Sequence, residues 1–170
     1  MVSVAPVAEV PEGHLPSRQT ILVVDDEEEI RNYLAEELSD QYNVKMCNDG
    51  EEAMSLLLRE HVDIVLSDVM MPKVDGLELC RRIRENVLLN HLPIILLTAK
   101  NTDTVRLGSL KLSVEAFISK PFNMAILRST VDSLLRRQSA LRNTGKWHII
   151  LGYLCQISMR GWQNSWQIGG

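Results

Sequence analysis

Cysteine is scarce in this chain, and the little there is stands apart. Cys47, Cys80 and Cys155 are the three thiols in 170 residues, and no two form a C-x-x-C pair. That excludes a disulfide scaffold or a zinc framework and fits a reducing compartment. Each reads as a small buried apolar residue. Long hydrophobic runs are missing too. The most apolar late stretch, Trp147 to Ile157, contains His148 and Gln156 and falls short of the roughly 20 residues of a membrane span. Met1 to Pro16 carries Glu9 and Glu12 without an apolar core, so no signal peptide is expected. The expectation is a cytoplasmic location without membrane insertion. Neither G-x-x-x-x-G-K-[ST] nor G-x-G-x-x-G occurs, which removes a nucleotide-binding reading. Acidic residues stop at Asp132, while Arg136, Arg137, Arg142, Lys146 and Arg160 follow, so an acidic body leads to a basic end. With a net charge of −4 and no recognition-helix pattern in the tail, direct nucleic-acid contact is not expected.

What is present is a strong alternation. Residues 1–19 hold Pro6, Pro11, Pro16 and Gly13 and read as a flexible leader. Thr20 to Asp25 is then a β-branched apolar run ending in acid, the pattern of a strand buried on both faces. Glu27 to Leu38 follows with helical spacing of Ile30, Leu34 and Leu38. The cycle repeats with strands at Asn43–Cys47, Asp63–Asp68, Pro93–Thr98 and Ala116–Ser119. Helices are expected at Gly50–Arg59, with Ala53, Met54, Leu57 and Leu58 on one side, and at Leu77–Glu85. Two more are expected at Asp103–Leu112 and Met124–Arg137, the last with Ile126, Leu127, Val131, Leu134 and Leu135 on its apolar face. Five strands alternating with five helices predict an α/β fold, a parallel sheet with helices on both faces. The organised domain spans 20–138. Residues 139–170 contain all three tryptophans, Trp147, Trp162 and Trp166, without a period, and read as a linker or as sequence foreign to the fold.

Ligands of open α/β sheets bind beyond the carboxyl ends of the strands. The residues closing the strands here are Asp25 and Asp26, Asp68, Thr98, and Ser119-Lys120. Crowded carboxylates raise one another's pKa unless a cation intervenes. A hard divalent ion such as Mg²⁺ resolves that conflict, and a lysine and a threonine can hold phosphoryl oxygens. Each residue alone has an ordinary explanation: a helix N-cap for the paired acids, a surface lysine, a strand-end hydroxyl. Their joint occurrence is what signals chemistry.

The constellation resembles the receiver domains of response regulators. The matching pieces are Val24-Asp25-Asp26-Glu27, Asp68-Val-Met-Met-Pro72 with Asp75-Gly76, Thr98-Ala99, and Lys120-Pro121-Phe122, in order, between about Thr20 and Ser139. The resemblance implies a flavodoxin-like (βα)5 doubly wound sheet of strand order 2-1-3-4-5. It implies that Asp68 accepts a phosphoryl group from a phosphohistidine. Asp26 would hold Mg²⁺ directly and Asp25 through water, with the Met70 backbone carbonyl as a further ligand. Lys120 would contact a phosphate oxygen and the Asp68 carboxylate, and Thr98 would hydrogen-bond the phosphate with help from the Ala99 backbone N–H. Phe117 stands at the aromatic switch position, and a cis peptide is implied between Lys120 and Pro121. The output face is then the fourth helix, fifth strand and fifth helix, between Asn101 and Arg137, which also serves for homodimers.

The family is a phosphorylated switch that catalyses its own phosphotransfer and dephosphorylation, not an enzyme with an external substrate. Its phosphodonor is a histidine kinase. The runs Met71 to Arg84 and Leu92 to Asn101 look like receivers of hybrid histidine kinases, some of which regulate transcription; there the donor lies in the same polypeptide. Leu112-Ser113-Val114-Glu115 departs from the family's usual Gly-Ala-Asp turn, and a positive φ at Ser113 would cost about 1 kcal/mol. Two rivals remain: a pseudo-receiver that interacts without phosphorylation, and a Mg²⁺-dependent phosphohydrolase with an aspartyl nucleophile. The second predicts a D-x-D run and a cap insertion, where this chain has Asp25-Asp26-Glu27 and short connections.

Overall fold

The computed structural model describes residues 18–99 and 113–143. Residues 1–17 of the expected leader, the Asp103–Leu112 helix and the tail past Asn143 lie outside the described residues. Strands β1 (Thr20–Val24), β2 (Asn43–Cys47), β3 (Ile64–Asp68), β4 (Ile94–Ala99) and β5 (Ala116–Lys120) alternate with helices. The helices are α1 (Glu28–Leu38), α2 (Gly50–Leu57), α3 (Gly76–Glu85) and α4 (Met124–Asn143). All neighbouring strands pair in parallel, in the order β2-β1-β3-β4-β5, as the resemblance implies.

The apolar runs lack alternation because both faces of the sheet are covered. Leu22, Val24, Val65, Ile94 and Leu96 project into one core with Ala53 and Leu57 of α2 and Leu79, Cys80 and Ile83 of α3. Their neighbours Ile21, Val23, Ile64, Leu66, Ile95 and Leu97 project into the other, with Leu34 and Leu38 of α1 and Leu127, Val131 and Leu135 of α4. Each such Leu or Ile side chain contributes about 1.5–3 kcal/mol by leaving water. Two residues expected on apolar helix faces are in fact exposed, Leu58 at 59% and Ile126 at 59%. Leu58, the C-cap of α2, stands about 100° around the axis from buried Leu57, and Ile126 stands about 100° from buried Leu127, so each falls beside the covered stripe. The last helix also runs past the expected end at Arg137, to Asn143.

The caps are local and explicable. Asp49 accepts the Glu52 N–H at the start of α2, and Asp75 accepts the Glu78 N–H at the start of α3, each contributing about 1 kcal/mol. Ser113 adopts φ 52°, as its place in the turn suggested, and Lys73 adopts φ 65° in the β3–α3 loop. Arg84 offsets the first strain. Its guanidinium donates to the carbonyls of Ser113, Asn90 and Leu92 and pairs with Glu115, whose carboxylate in turn accepts the Ile94 N–H. No helix among the described residues is long and apolar enough to cross a membrane.

Candidate functional site

Parallel pairing brings the C-terminal ends of β1, β3, β4 and β5 to one edge of the sheet. In register, Asp68 lies beside Leu97, Thr98 beside Ser119, and Ala99 beside Lys120. Asp25 directly follows β1, and Asp26 follows it toward α1. One carboxylate oxygen from each of Asp25, Asp26 and Asp68 lies within 4.8 Å of the other two. Asp25 and Asp68 are buried and Asp26 is exposed. The Lys120 ammonium enters between the buried pair, 2.9 Å from Asp25 Oδ2 and 3.4 Å from Asp68 Oδ1. Five of the residues singled out in the sequence, Asp25, Asp26, Asp68, Thr98 and Lys120, thus close neighbouring strand ends.

Electrostatics follow from this crowding. Burial raises the Asp68 pKa, Lys120 pulls it down, Asp25 raises it again and a hydrogen bond from the Met70 backbone N–H lowers it; the net direction is up. Burial alone would lower the Lys120 pKa, but its hydrogen bond and attraction to Asp25, with Asp68 adding to both, outweigh burial and hold it above its ordinary value. The lysine is therefore firmly cationic, yet its one ammonium pairs with two carboxylates, and Asp26 adds a third beside them. The donor set consists of hard oxygens of high charge density, which suits Mg²⁺ or a similar hard divalent cation and no soft metal. The residues fit such an ion: Asp26 and Asp68 are the carboxylates not fully committed to protein donors.

The paired acids after β1 do not cap the helix. The N-cap of α1 is Glu27, without a side-chain cap bond, and the Glu27 N–H donates instead to Asp25 Oδ1 at 3.0 Å. At β3, the Asp68 carbonyl accepts the Ser67 hydroxyl, and the Val69 N–H donates to the Leu97 carbonyl. Thr98 is buried at the end of β4. Phe117 is half-buried, pairs in register with Leu96 and packs on the core beneath α2 and α3. Because side chains alternate along a strand, Thr98 and Leu96 share a face, and Phe117 lies on that same face one strand over. The Lys120–Pro121 peptide is cis. Met70 meets the site through its N–H, with its side chain exposed. His61 pairs with Asp63 at 3.0 Å, and Cys80 lies in the core; neither joins the cluster. Part of the expected output face, residues 101–112, lies outside the described residues.

Two contributors escaped the sequence reading. Arg31 Nη1 donates to the Asp25 carbonyl at 2.6 Å. Gly76 presses on the Asp68 backbone so closely that a Cβ there would stand 2.2 Å from the Asp68 carbonyl oxygen. Gly76 is visible as part of the Asp75-Gly76 pair, but its contact with Asp68 is not. Arg31 makes its contact with a backbone carbonyl, which leaves no trace in residue pattern.

The family model described as "Response regulator receiver domain" matches residues 21–132. The response regulator MprA of Mycobacterium leprae (strain TN) is 39% identical over 118 residues, covering 69% of this chain and 51% of its own length. Histidine kinase P4 of Formosa agariphila is 30% identical over 125 residues, which make up 74% of this chain but 9% of that protein. Among solved structures, the signal receiver domain of a signal transduction histidine kinase from Syntrophus aciditrophicus superposes with a TM-score of 0.66 at 33% identity. That match covers 69% of this chain and 90% of the other. The chain spans about half the length of the curated response regulators it matches.

Proposed function

Since the chain belongs to the response regulator receiver domain family, we propose that it is a phosphoacceptor switch in a phosphorelay, with Asp68 as the residue modified. One observation carries the reading: Lys120 reaches from β5 to bridge Asp25 and Asp68 at the edge where Asp26 also stands. In this reading an Asp68 carboxylate oxygen attacks the phosphorus of a phosphohistidine in line. A P–O bond forms, the P–N bond breaks, and the imidazole of the donor leaves. Lys120 balances charge on the transferred oxygens while keeping Asp25 paired. Asp26 and Asp68 would hold the cation, with Asp25 behind them and the Met70 carbonyl as a further ligand. Bound Mg²⁺ would offset negative charge on the phosphoryl oxygens during transfer.

Modification creates a partner for Thr98 that the free carboxylate lacks. The Thr98 hydroxyl and the Ala99 N–H would turn to the phosphoryl oxygens, and Phe117, on the same face, would follow inward. The shift would reach the face between Asn101 and Arg137, where a second copy of the chain or an effector would dock. The donor we infer is a histidine kinase. A kinase in the same polypeptide is supported by the similarity to a short part of histidine kinase P4.

The test is incubation with a small-molecule phosphodonor, read by intact mass. One phosphoryl group per chain, dependent on Mg²⁺ and lost in Asp68→Asn, is the expected result. Repeated turnover of the donor would point to a hydrolase. A folded chain that takes up nothing would point to a binding-only module.

A further inference from the structure

Asp25 is held at every polar atom. Its N–H donates to the Cys47 carbonyl at 3.3 Å, its Oδ1 accepts the Glu27 N–H at 3.0 Å, and its Oδ2 accepts the Lys120 ammonium at 2.9 Å. Its carbonyl accepts Arg31 Nη1 at 2.6 Å, the shortest of the four. Asp26 is held by none of these means. It is exposed, and among the described residues its carboxylate accepts no hydrogen bond, although one of its oxygens lies within 4.8 Å of an oxygen of Asp25 and of Asp68. What aims this carboxylate at the site must therefore come from the backbone that carries it.

The Asp25 carbonyl and the Asp26 N–H belong to one planar peptide unit. A donor fixed on that carbonyl fixes the plane from which the Asp26 side chain departs. Arg31 is suited to the task. It sits in the first turn of α1, with its own N–H bonded to the Glu27 carbonyl at 3.1 Å, so its backbone is anchored to the helix start while its guanidinium reaches back to the carbonyl six residues earlier. It is half-buried, which limits competition from water for the carbonyl. We propose that Arg31 is a positioning residue, acting through the Asp25 carbonyl to point the Asp26 carboxylate into the cation site. This rests on the phosphoacceptor reading and its divalent ion.

Charge and geometry predict opposite signs here. A guanidinium near a cation site repels the cation, so its removal would tighten binding if charge alone mattered. A guanidinium that orients a ligating carboxylate makes binding weaker when it is lost. Removal of such outer partners typically costs about 10–100-fold in metal affinity.

The experiment compares the full chain with Arg31→Ala, Arg31→Lys and Arg31→Gln, each checked for fold by circular dichroism. Calorimetric titration with Mg²⁺ should show the Kd rising about tenfold in Arg31→Ala, with Arg31→Lys closer to the starting protein. The Mg²⁺ concentration giving half-maximal phosphoryl incorporation should rise in step, while the plateau rate at saturating Mg²⁺ stays near that of the starting protein. In the metal-free protein, the Asp26 amide should exchange faster with solvent. A Kd unchanged or lowered in the folded variants overturns the proposal, as does a plateau that falls while the Kd stays put. If Arg31→Ala does not fold, Arg31→Gln and Arg31→Lys carry the same comparison. A starting protein that neither binds Mg²⁺ nor takes a phosphoryl group would sink the phosphoacceptor reading itself, and Arg31's role with it.

Discussion

Lys120 and Asp25 form an ion pair of 2.9 Å although two strands, β3 and β4, lie between the strands that carry them. The contact spans the rim rather than a strand pair, and Asp68 on β3 lies under its path, 3.4 Å from the same ammonium. One lysine thereby ties three strand ends into a single electrostatic unit.

Replacing that lysine should expose how much the unit depends on it. Lys120→Ala leaves two buried carboxylates without their cation, a loss on the order of 3 kcal/mol when one partner of a buried pair is removed. Urea denaturation in metal-free buffer should show this fall. Mg²⁺ should restore a good part of it, because a divalent ion can neutralise the same oxygens. Phosphoryl uptake should stay low even with the ion present. A variant whose stability is unchanged in metal-free buffer would contradict the pairing described.

Asp68 makes a prediction of the opposite sign. Its pKa is raised in the folded chain above the ordinary value of 3.8, chiefly by burial. The fold therefore prefers its protonated form. The stability this contributes is complete below pH 3.8 and disappears as pH climbs through the raised folded value. At pH 7 the ionised Asp68 is a burden that Asp68→Asn does not carry. In metal-free buffer the variant should melt higher at pH 7, and its advantage should shrink toward pH 4. Melting curves at the two pH values decide the matter; an Asp68→Asn protein less stable at pH 7 would refute it.

Gly76 should not tolerate even one methyl group. The added Cβ would sit 2.2 Å from the Asp68 carbonyl oxygen and 2.9 Å from Val69 Cα, both backbone atoms that cannot rotate away. Gly76→Ala is expected to cost about 2 kcal/mol or more. It should also cut phosphoryl incorporation, because the backbone of Asp68 must move to make room. Denaturation and phosphodonor assays on the same preparation would test both parts.

The thiols offer an independent check on burial. Cys47 and Cys80 are both pushed up to about 12, mainly by burial. Very little thiolate exists at pH 8, so alkylation should be slow in the native state. In a Cys155→Ser background, both thiols should react with Ellman's reagent only after denaturant is added. Rapid reaction of either in native buffer would contradict the packing of the core beneath α2 and α3.

The parts of this molecule legible in sequence were those with a one-dimensional signature. Uninterrupted apolar runs such as Thr20-Ile-Leu-Val-Val marked strands buried on both faces, and acids at their ends marked the rim. The strand order came from resemblance, since spacing alone does not order strands in space. Less legible were contacts that pair a side chain with backbone. Arg31 and Arg84 each sit among the charges of an amphipathic helix, yet one grips the Asp25 carbonyl and the other clamps Ser113, Asn90 and Leu92. Leu58 and Ile126 misled because an apolar residue beside the covered stripe looks like part of it. The stripe runs through their neighbours Leu57 and Leu127. The far end of α4 was missed for a related reason: after Leu135 the apolar stripe thins, though Gln138 is still buried and the backbone continues as helix.

That last helix has a mechanical consequence. None of the acids, nor the threonine or lysine of the rim, belongs to α4, which is described over 20 residues, Met124–Asn143. At 1.5 Å per residue these make a rod about 30 Å long, anchored to the core through Leu127, Val131 and Leu135. Whatever is joined in phase to its distal end inherits a bearing set by the number of residues added, turning about 100° with each one. Sensors built by fusion at that point could therefore be tuned in angle by single-residue insertions that leave the chemistry at the rim alone.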